Sequence, residues 1–131
     1  IRHEMAGASF FVPGSEGAKI NQAVLPKDDE AVITKHFPNS FRETELSNLL
    51  KENGIEDVVV VGAMSHMCVD ATVRAANDLG YKTTTIHDAC ATLDLNFNGI
   101  TTPAEQVHVA MMAALSFGYG DVISTDTFLA R

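Results

Sequence analysis

The stretch Val58-Val59-Val60-Val61-Gly62-Ala63-Met64-Ser65-His66-Met67-Cys68-Val69 decides how this chain is read. Four β-branched residues in a row predict a strand buried on both faces. Gly62 ends the run, and from Cys68 to Gly80 the apolar residues recur at helical spacing. A strand that turns sharply into a helix presents free backbone N–H groups and a partial positive charge at the turn. Cys68 falls in the expected first helical turn, a setting that favours thiolate, the nucleophilic form, over thiol. A cysteine is also a common small apolar core residue. Position alone leaves both readings of Cys68 open.

Upstream, Glu30 to Lys35 predicts a short strand that runs into Lys35-His36-Phe37-Pro38-Asn39-Ser40-Phe41. Parallel strands bring their C-terminal ends to one edge of a sheet, where ligands bind. Lys35 is therefore a candidate electrostatic partner for Cys68, although a lone lysine usually reaches solvent. Ser40-Phe41-Arg42-Glu43 has the form of a capping box. Leu46, Leu49 and Leu50 then share one helical face, and Asn53-Gly54 closes that helix. Residues 5–28 carry Pro13-Gly14, Gly17 and Leu25-Pro26 and read as a long loop, pinned by Phe10 and Phe11.

Downstream, Val69, Thr72, Val73, Ala76 and Leu79 point to a core, with Asp70 and Arg74 paired four residues apart outside. Lys82 to His87 predicts a threonine-rich strand. Asp88 to Thr101 reads as a second long loop holding Cys90, taken as structural. Thr102-Pro103-Ala104-Glu105 combines a capping box with proline at the first helical position. Val107, Ala110, Met111, Ala114 and Leu115 form the buried stripe of that helix, and Asp121 to Ser124 predicts a last short strand. Helices alternating with short apolar strands mean an α/β fold with a parallel sheet, one domain over residues 1–131.

The net charge of −8 argues against nucleic acid and anionic membrane surfaces as partners. No apolar run approaches a membrane span. Two cysteines without disulfide spacing suit a reducing compartment, so a cytoplasmic location is expected. No G-x-G-x-x-G follows a strand, and His36, His66 and Cys68 match no metal-ligand spacing. No cofactor or metal is expected. If Cys68 is a nucleophile, the backbone N–H groups of Met64 and Cys68 are placed to form an oxyanion hole. Phe11, Phe37, Phe41 and His66 are candidate wall residues for a small-molecule substrate. His36 and His66 are possible bases by type, and spacing selects neither.

Gly62-Ala63-Met64-Ser65-His66-Met67-Cys68-Val69 with Thr72, Arg74, Ala75 and Gly80-Tyr81, Lys35-His36 leading to Ser40-Phe41, His87-Asp88-Ala89, and Gln106-Val107-His108 together resemble the isochorismatase-like cysteine hydrolases. That superfamily includes nicotinamidases and N-carbamoylsarcosine amidases. The resemblance implies a Rossmann-like, three-layer fold around a six-stranded parallel sheet ordered 3-2-1-4-5-6. It implies catalysis by an Asp, a Lys and a Cys, the Lys matching Lys35 and the Cys matching Cys68, with a non-proline cis peptide at Ala63-Met64. It also implies homo-oligomeric assembly. Members that hydrolyse the vinyl ether of isochorismate typically lack this cysteine. Cys68 therefore points to cleavage of an amide or carbamoyl C–N bond through a thioester. The alternatives are a vinyl-ether hydrolase and a non-catalytic, metabolite-binding or redox-responsive oligomer.

The chain departs from the family pattern twice. The family's Asp lies at the end of strand one, in an Asp-x-Gln-like segment, and nothing here matches it. The expectation is that the N-terminal central strand and first helix are missing, so that this is a segment of a longer protein or receives a strand swapped from another copy. Loss of that strand would leave unpaired edges between the strand ending at Lys35 and the strand ending at Gly62. In addition, His3 and Glu4 do not reproduce the Asp/His metal set of nicotinamidases.

Overall fold

The computed structural model describes residues 1–131. In chain order the elements are β1 (Arg2–His3), β2 (Thr34–Lys35), α1 (Leu46–Glu52), β3 (Asp57–Ala63), α2 (Asp70–Asp78), β4 (Lys82–Ala91), β5 (Leu95–Phe97), β6 (Ile100–Thr102), α3 (Ala104–Gly118), β7 (Asp121–Ile123) and α4 (Thr125–Leu129). Single 3-10 turns at Glu16–Ala18 and Gln22–Val24 interrupt the first long loop. Strands β3, β4 and β7 form a parallel sheet in the order β3-β4-β7, and β1 pairs with β2, also in parallel. The chain is an α/β fold with a parallel sheet, as the alternating pattern requires.

β4 is central because both of its edges are paired. Thr83, Thr84 and Thr85 are buried there, where β-branched side chains suit a strand covered on both sides. The Thr83 hydroxyl donates to the Tyr119 carbonyl. Gly120, at φ +128°, runs against the Thr83 backbone, where a Cβ would collide. Register is regular from Asp57↔Lys82 to Val60↔Thr85 and then jumps to Gly62↔Cys90. Residues 86–89 of β4 bulge away from β3, and Gly62 accommodates the offset at φ +126°. Asp88 thereby reaches α4, where its Oδ1 accepts from the Thr125 N–H at 2.8 Å and the Thr125 hydroxyl at 2.9 Å. These donors hold the Asp88 carboxyl below its usual range, the backbone N–H most of all.

Val69, Val73, Met112 and Leu115 form the core where α2 and α3 meet the sheet, and Val60 and Val122 pack against them. The opposite face of β3 is not covered. Val59 is 48% exposed and Val61 56%, while Val58 and Val60 on the other face are half-buried, so the valine run is not buried on both faces as the sequence predicted. Between the β1–β2 pair and β3 lies a trough of about 850 Å³. Leu46 and Leu50, half-buried on α1, line it together with residues 58–63 of β3.

Several local readings change for physical reasons. The strand expected from Glu30 is only Thr34–Lys35, paired in parallel with β1. Ser40 does not cap a helix. Its N–H and hydroxyl both engage Thr72 Oγ1, at 3.1 and 2.9 Å, which pins this loop to α2. Glu43 adopts φ +55°, and α1 starts only at Leu46. Leu79, expected in the core, is 54% exposed at the end of α2. The loop expected from Asp88 instead continues β4 to Ala91 and adds the antiparallel hairpin β5–β6. Thr102 does not cap α3. The Ala104 N–H donates to Asp94 Oδ1 at 2.8 Å, a carboxylate supplied from ten residues away. No helix is long and apolar enough to cross a membrane.

Candidate active site

The corner after β3 is a single π turn, Ser65–Val69, continuous with α2. Met64 C=O accepts from the Met67 N–H at 3.0 Å and from the Val69 N–H at 3.2 Å, the latter spanning five residues. Cys68 thus sits in a widened turn just before the regular helix, which begins at Asp70, two residues later than its spacing suggested. π turns recur at functional sites because the extra residue re-aims side chains. The buried Ser65 hydroxyl lies 2.8 Å from His108 Nδ1 and ties the turn to α3. The Ala63–Met64 peptide is cis, and the Met64 N–H has no acceptor within the chain.

Lys35 reaches the same corner from β2. It is 4% exposed, unusually deep for a lysine. Its Nζ donates to the Phe37 carbonyl at 2.8 Å and to Cys68 Sγ at 3.1 Å, and stands 2.7 Å from His3 Nδ1. Three partners match the three N–H bonds of an ammonium, which a buried charge requires. His3 arrives through strand register, since β1 pairs with β2 as His3↔Lys35. Its Nδ1 is 3.8 Å from Cys68 Sγ. The Phe11 ring backs the imidazole at 5.3 Å between centroids. Burial, with the charge of Lys35 and the proximity of His36 adding to it, pushes the His3 pKa below the ordinary 6.5. The shift favours the neutral ring, the form whose Nδ1 can accept from Lys35 Nζ.

Lys35 and Cys68 are in hydrogen-bond contact, and both line the trough with Met64, Phe11 and Phe41. Phe37 and His66 do not line it. The Phe37 ring lies under the Arg42 guanidinium at 3.6 Å, and His66 Nδ1 is held by Thr92 Oγ1 at 2.5 Å. His36 Nδ1 hydrogen-bonds the Glu4 carbonyl oxygen at 2.8 Å, and His36 does not line the trough. No carboxylate hydrogen-bonds or ion-pairs with Lys35, and none bonds Cys68. Glu4 pairs with Arg2 at 3.3 Å, and His3 Nδ1 lies 2.7 Å from Lys35 Nζ. Cys90, half-buried in β4, has its thiol pushed up, chiefly by burial. Sequence reasoning gave His3 no role at the site. Nothing in its spacing could have found it, because His3 reaches Lys35 only through the β1–β2 pairing.

The chain matches the sequence profile of the Isochorismatase domain over residues 2–127. It is 49% identical over 131 residues to the uncharacterized isochorismatase family protein YddQ of Bacillus subtilis, covering 98% of this chain and 73% of that one. It is 36% identical to the secreted isochorismatase effector Isc1 of Verticillium dahliae, covering 95% of this chain and 64% of the effector. A crystal structure from Oleispira antarctica assigned to the isochorismatase hydrolases superposes with a TM-score of 0.95 at 56% identity, covering 99% of this chain and 70% of that one. More distant relatives carry amidohydrolase names, among them nicotinamidase 3 of Arabidopsis thaliana at 29% identity and the ureidoacrylate amidohydrolase RutB of Acinetobacter baylyi at 31%. The chain spans roughly two thirds of the length of the curated relatives it matches first, from 64% to 73%. With a profile match across nearly its whole length and a half-identical relative, the chain belongs to the isochorismatase family.

Proposed function

We propose that this protein is a cysteine hydrolase that cleaves an amide or carbamoyl C–N bond of a small metabolite. The observation that carries the reading is the Lys35 ammonium donating to Cys68 Sγ at 3.1 Å, both residues lining an open trough. Amidohydrolases among the relatives support the same bond type. The Cys68 sulfur adds to the substrate carbonyl carbon, and the carbonyl π electrons move to oxygen. That oxygen is received by the Met64 N–H, which has no other acceptor, and by the Cys68 N–H. The C–N bond then breaks, and the nitrogen leaves protonated as ammonia or an amine. Water attacks the thioester, the acid departs, and the sulfur is restored.

The step needs a group to take the thiol proton and return it to the leaving nitrogen. We assign that role to a carboxylate outside these 131 residues, on an extended segment paired against the free edge of β3. The unpaired edge and the trough beside it support such a segment. Exposed apolar side chains on α3 and the hairpin, including Phe117 at 96% and Phe97 at 78%, support assembly into a homo-oligomer. The absence of a carboxylate at Lys35 also gives the metabolite-binding reading its one support. A panel of small primary amides and carbamoyl compounds, assayed for released ammonia, separates the two. Turnover that disappears in Cys68→Ser supports the hydrolase, and turnover unchanged by that substitution rejects it. Thiol alkylation that spares hydrolysis of a vinyl ether would mark the third reading.

A further inference from the structure

His3 is the one charged or titratable side chain that touches both functional groups of the cluster without a role in the reaction above. Its Nδ1 lies 2.7 Å from Lys35 Nζ and 3.8 Å from Cys68 Sγ. Its Nε2 is buried and has no hydrogen-bond partner in the chain. Lys35 Nζ has only three N–H bonds, and all three are used, on Phe37 C=O, Cys68 Sγ and His3 Nδ1. Two of those acceptors are fixed by the fold. The Phe37 carbonyl is backbone two residues away, and the imidazole is clamped by strand register and the Phe11 ring. The third is the sulfur. An ammonium with two of its arms fixed can direct the remaining arm along only one line.

We propose that His3 is a positioning residue: as the Nε2–H tautomer it accepts a hydrogen bond from Lys35 on Nδ1 and thereby aims the Lys35 ammonium at Cys68. This inference rests on the hydrolase reading of the site, but its test reads the sulfur directly and needs no substrate. The Lys35–His3 bond depends on a free lone pair at Nδ1, which protonation of the ring removes. The titratable groups that act on His3 are Lys35 at the end of β2, His36 just after it, and Cys68 from the π turn; its chain neighbours Arg2 and Glu4 pair with each other. A protonated His3 would set a second cation against Lys35, and the aligned arrangement would be lost on acidification.

The experiment measures the rate of Cys68 alkylation by iodoacetamide against pH in the full-length protein, with the modified peptide quantified by mass spectrometry. Asparagine places an oxygen where Nδ1 stands, whereas phenylalanine fills the space with no acceptor. His3→Phe is expected to slow Cys68 alkylation at neutral pH by roughly tenfold, and His3→Asn to stay within about twofold of the parent. In the parent the rate carries a second fall on the acid side, which His3→Asn lacks. Wild-type profiles in both variants, or equal impairment in both, overturn the proposal. Should His3→Phe not fold, nitrogen-15 NMR of the parent decides. An unprotonated Nδ1 with protonated Nε2 supports the proposal, and the opposite tautomer overturns it. Loss of amide turnover in Cys68→Ser tests the hydrolase reading separately, so the two can fail independently.

Discussion

The two cysteines of this chain lie on neighbouring elements and live in different chemistry. Cys68 is in a π turn, with an ammonium on its sulfur at 3.1 Å and an imidazole nearby. Cys90 is in β4 beside the register jump at Gly62, half-buried among core side chains, with its thiol pushed up by burial. The residue type is the same, and the difference comes from what the strand ends deliver. β2 and β1 end at the Cys68 corner with Lys35 and His3, and no side chain of comparable charge bonds Cys90. Cys90 also lies at a strand end, opposite Gly62, so the two settings differ by the side chains that reach each sulfur and not by position along a strand.

The comparison can be broken in several ways. The largest expected effect is on turnover. Cys68→Ala should abolish amide hydrolysis by at least about 10⁴-fold, while Cys90→Ala should leave it within about twofold. A Cys90 variant as inactive as the Cys68 variant would erase the distinction. Lys35→Met, which keeps the length and removes the charge, should lower kcat by about 10²- to 10³-fold, with the loss in kcat exceeding any change in KM. Competitive alkylation at neutral pH should label Cys68 at least about tenfold faster than Cys90, because the raised Cys90 thiol holds less thiolate. Equal labelling of the native protein would contradict the two settings.

Two smaller effects sharpen the account of what supports the corner. Leu115 is fully buried and packs with Val69, immediately after the cysteine. Leu115→Ala should lower stability by about 2–5 kcal/mol in denaturant unfolding, and the cavity should loosen the turn. His3 links the site to pH. In the unfolded chain its ring takes up a proton near 6.5, whereas in the fold it stays neutral to lower pH. The unfolded state then binds more protons in the window below 6.5, so the His3 contribution to stability is lost as pH falls through that window. His3→Asn should flatten this part of the pH dependence of Tm.

Much of this was legible in the residues. The valine run, the turn at Gly62 and the helical spacing beyond it gave the strand, corner and helix, because each rests on a local pattern. The pairing of Lys35 with Cys68 was legible as a rule about parallel strand ends. The burial of the valine run was not, because β-branched residues report strand propensity and not what covers each face. The caps at Ser40 and Thr102 misled for a related reason. Ser40 found a tertiary partner in Thr72, and the first helical N–H of α3 found Asp94. The hairpin Leu95–Thr102 was hidden in an unpatterned segment, although Asn98 and Gly99, both at positive φ, form its turn. His3 could not be found by spacing at all, since its position depends on a two-residue strand pairing 32 residues away.

One measurement bears most directly on the claim that the Cys68 sulfur forms a covalent bond to substrate. The full-length protein is mixed with an amide that it turns over, quenched in acid during steady state, and its peptides are mass-mapped. The account predicts an acyl adduct on the Cys68 peptide that disappears on hydrolysis, with none on the Cys90 peptide. Steady turnover with an unmodified Cys68 peptide, or turnover undiminished in Cys68→Ser, would contradict it.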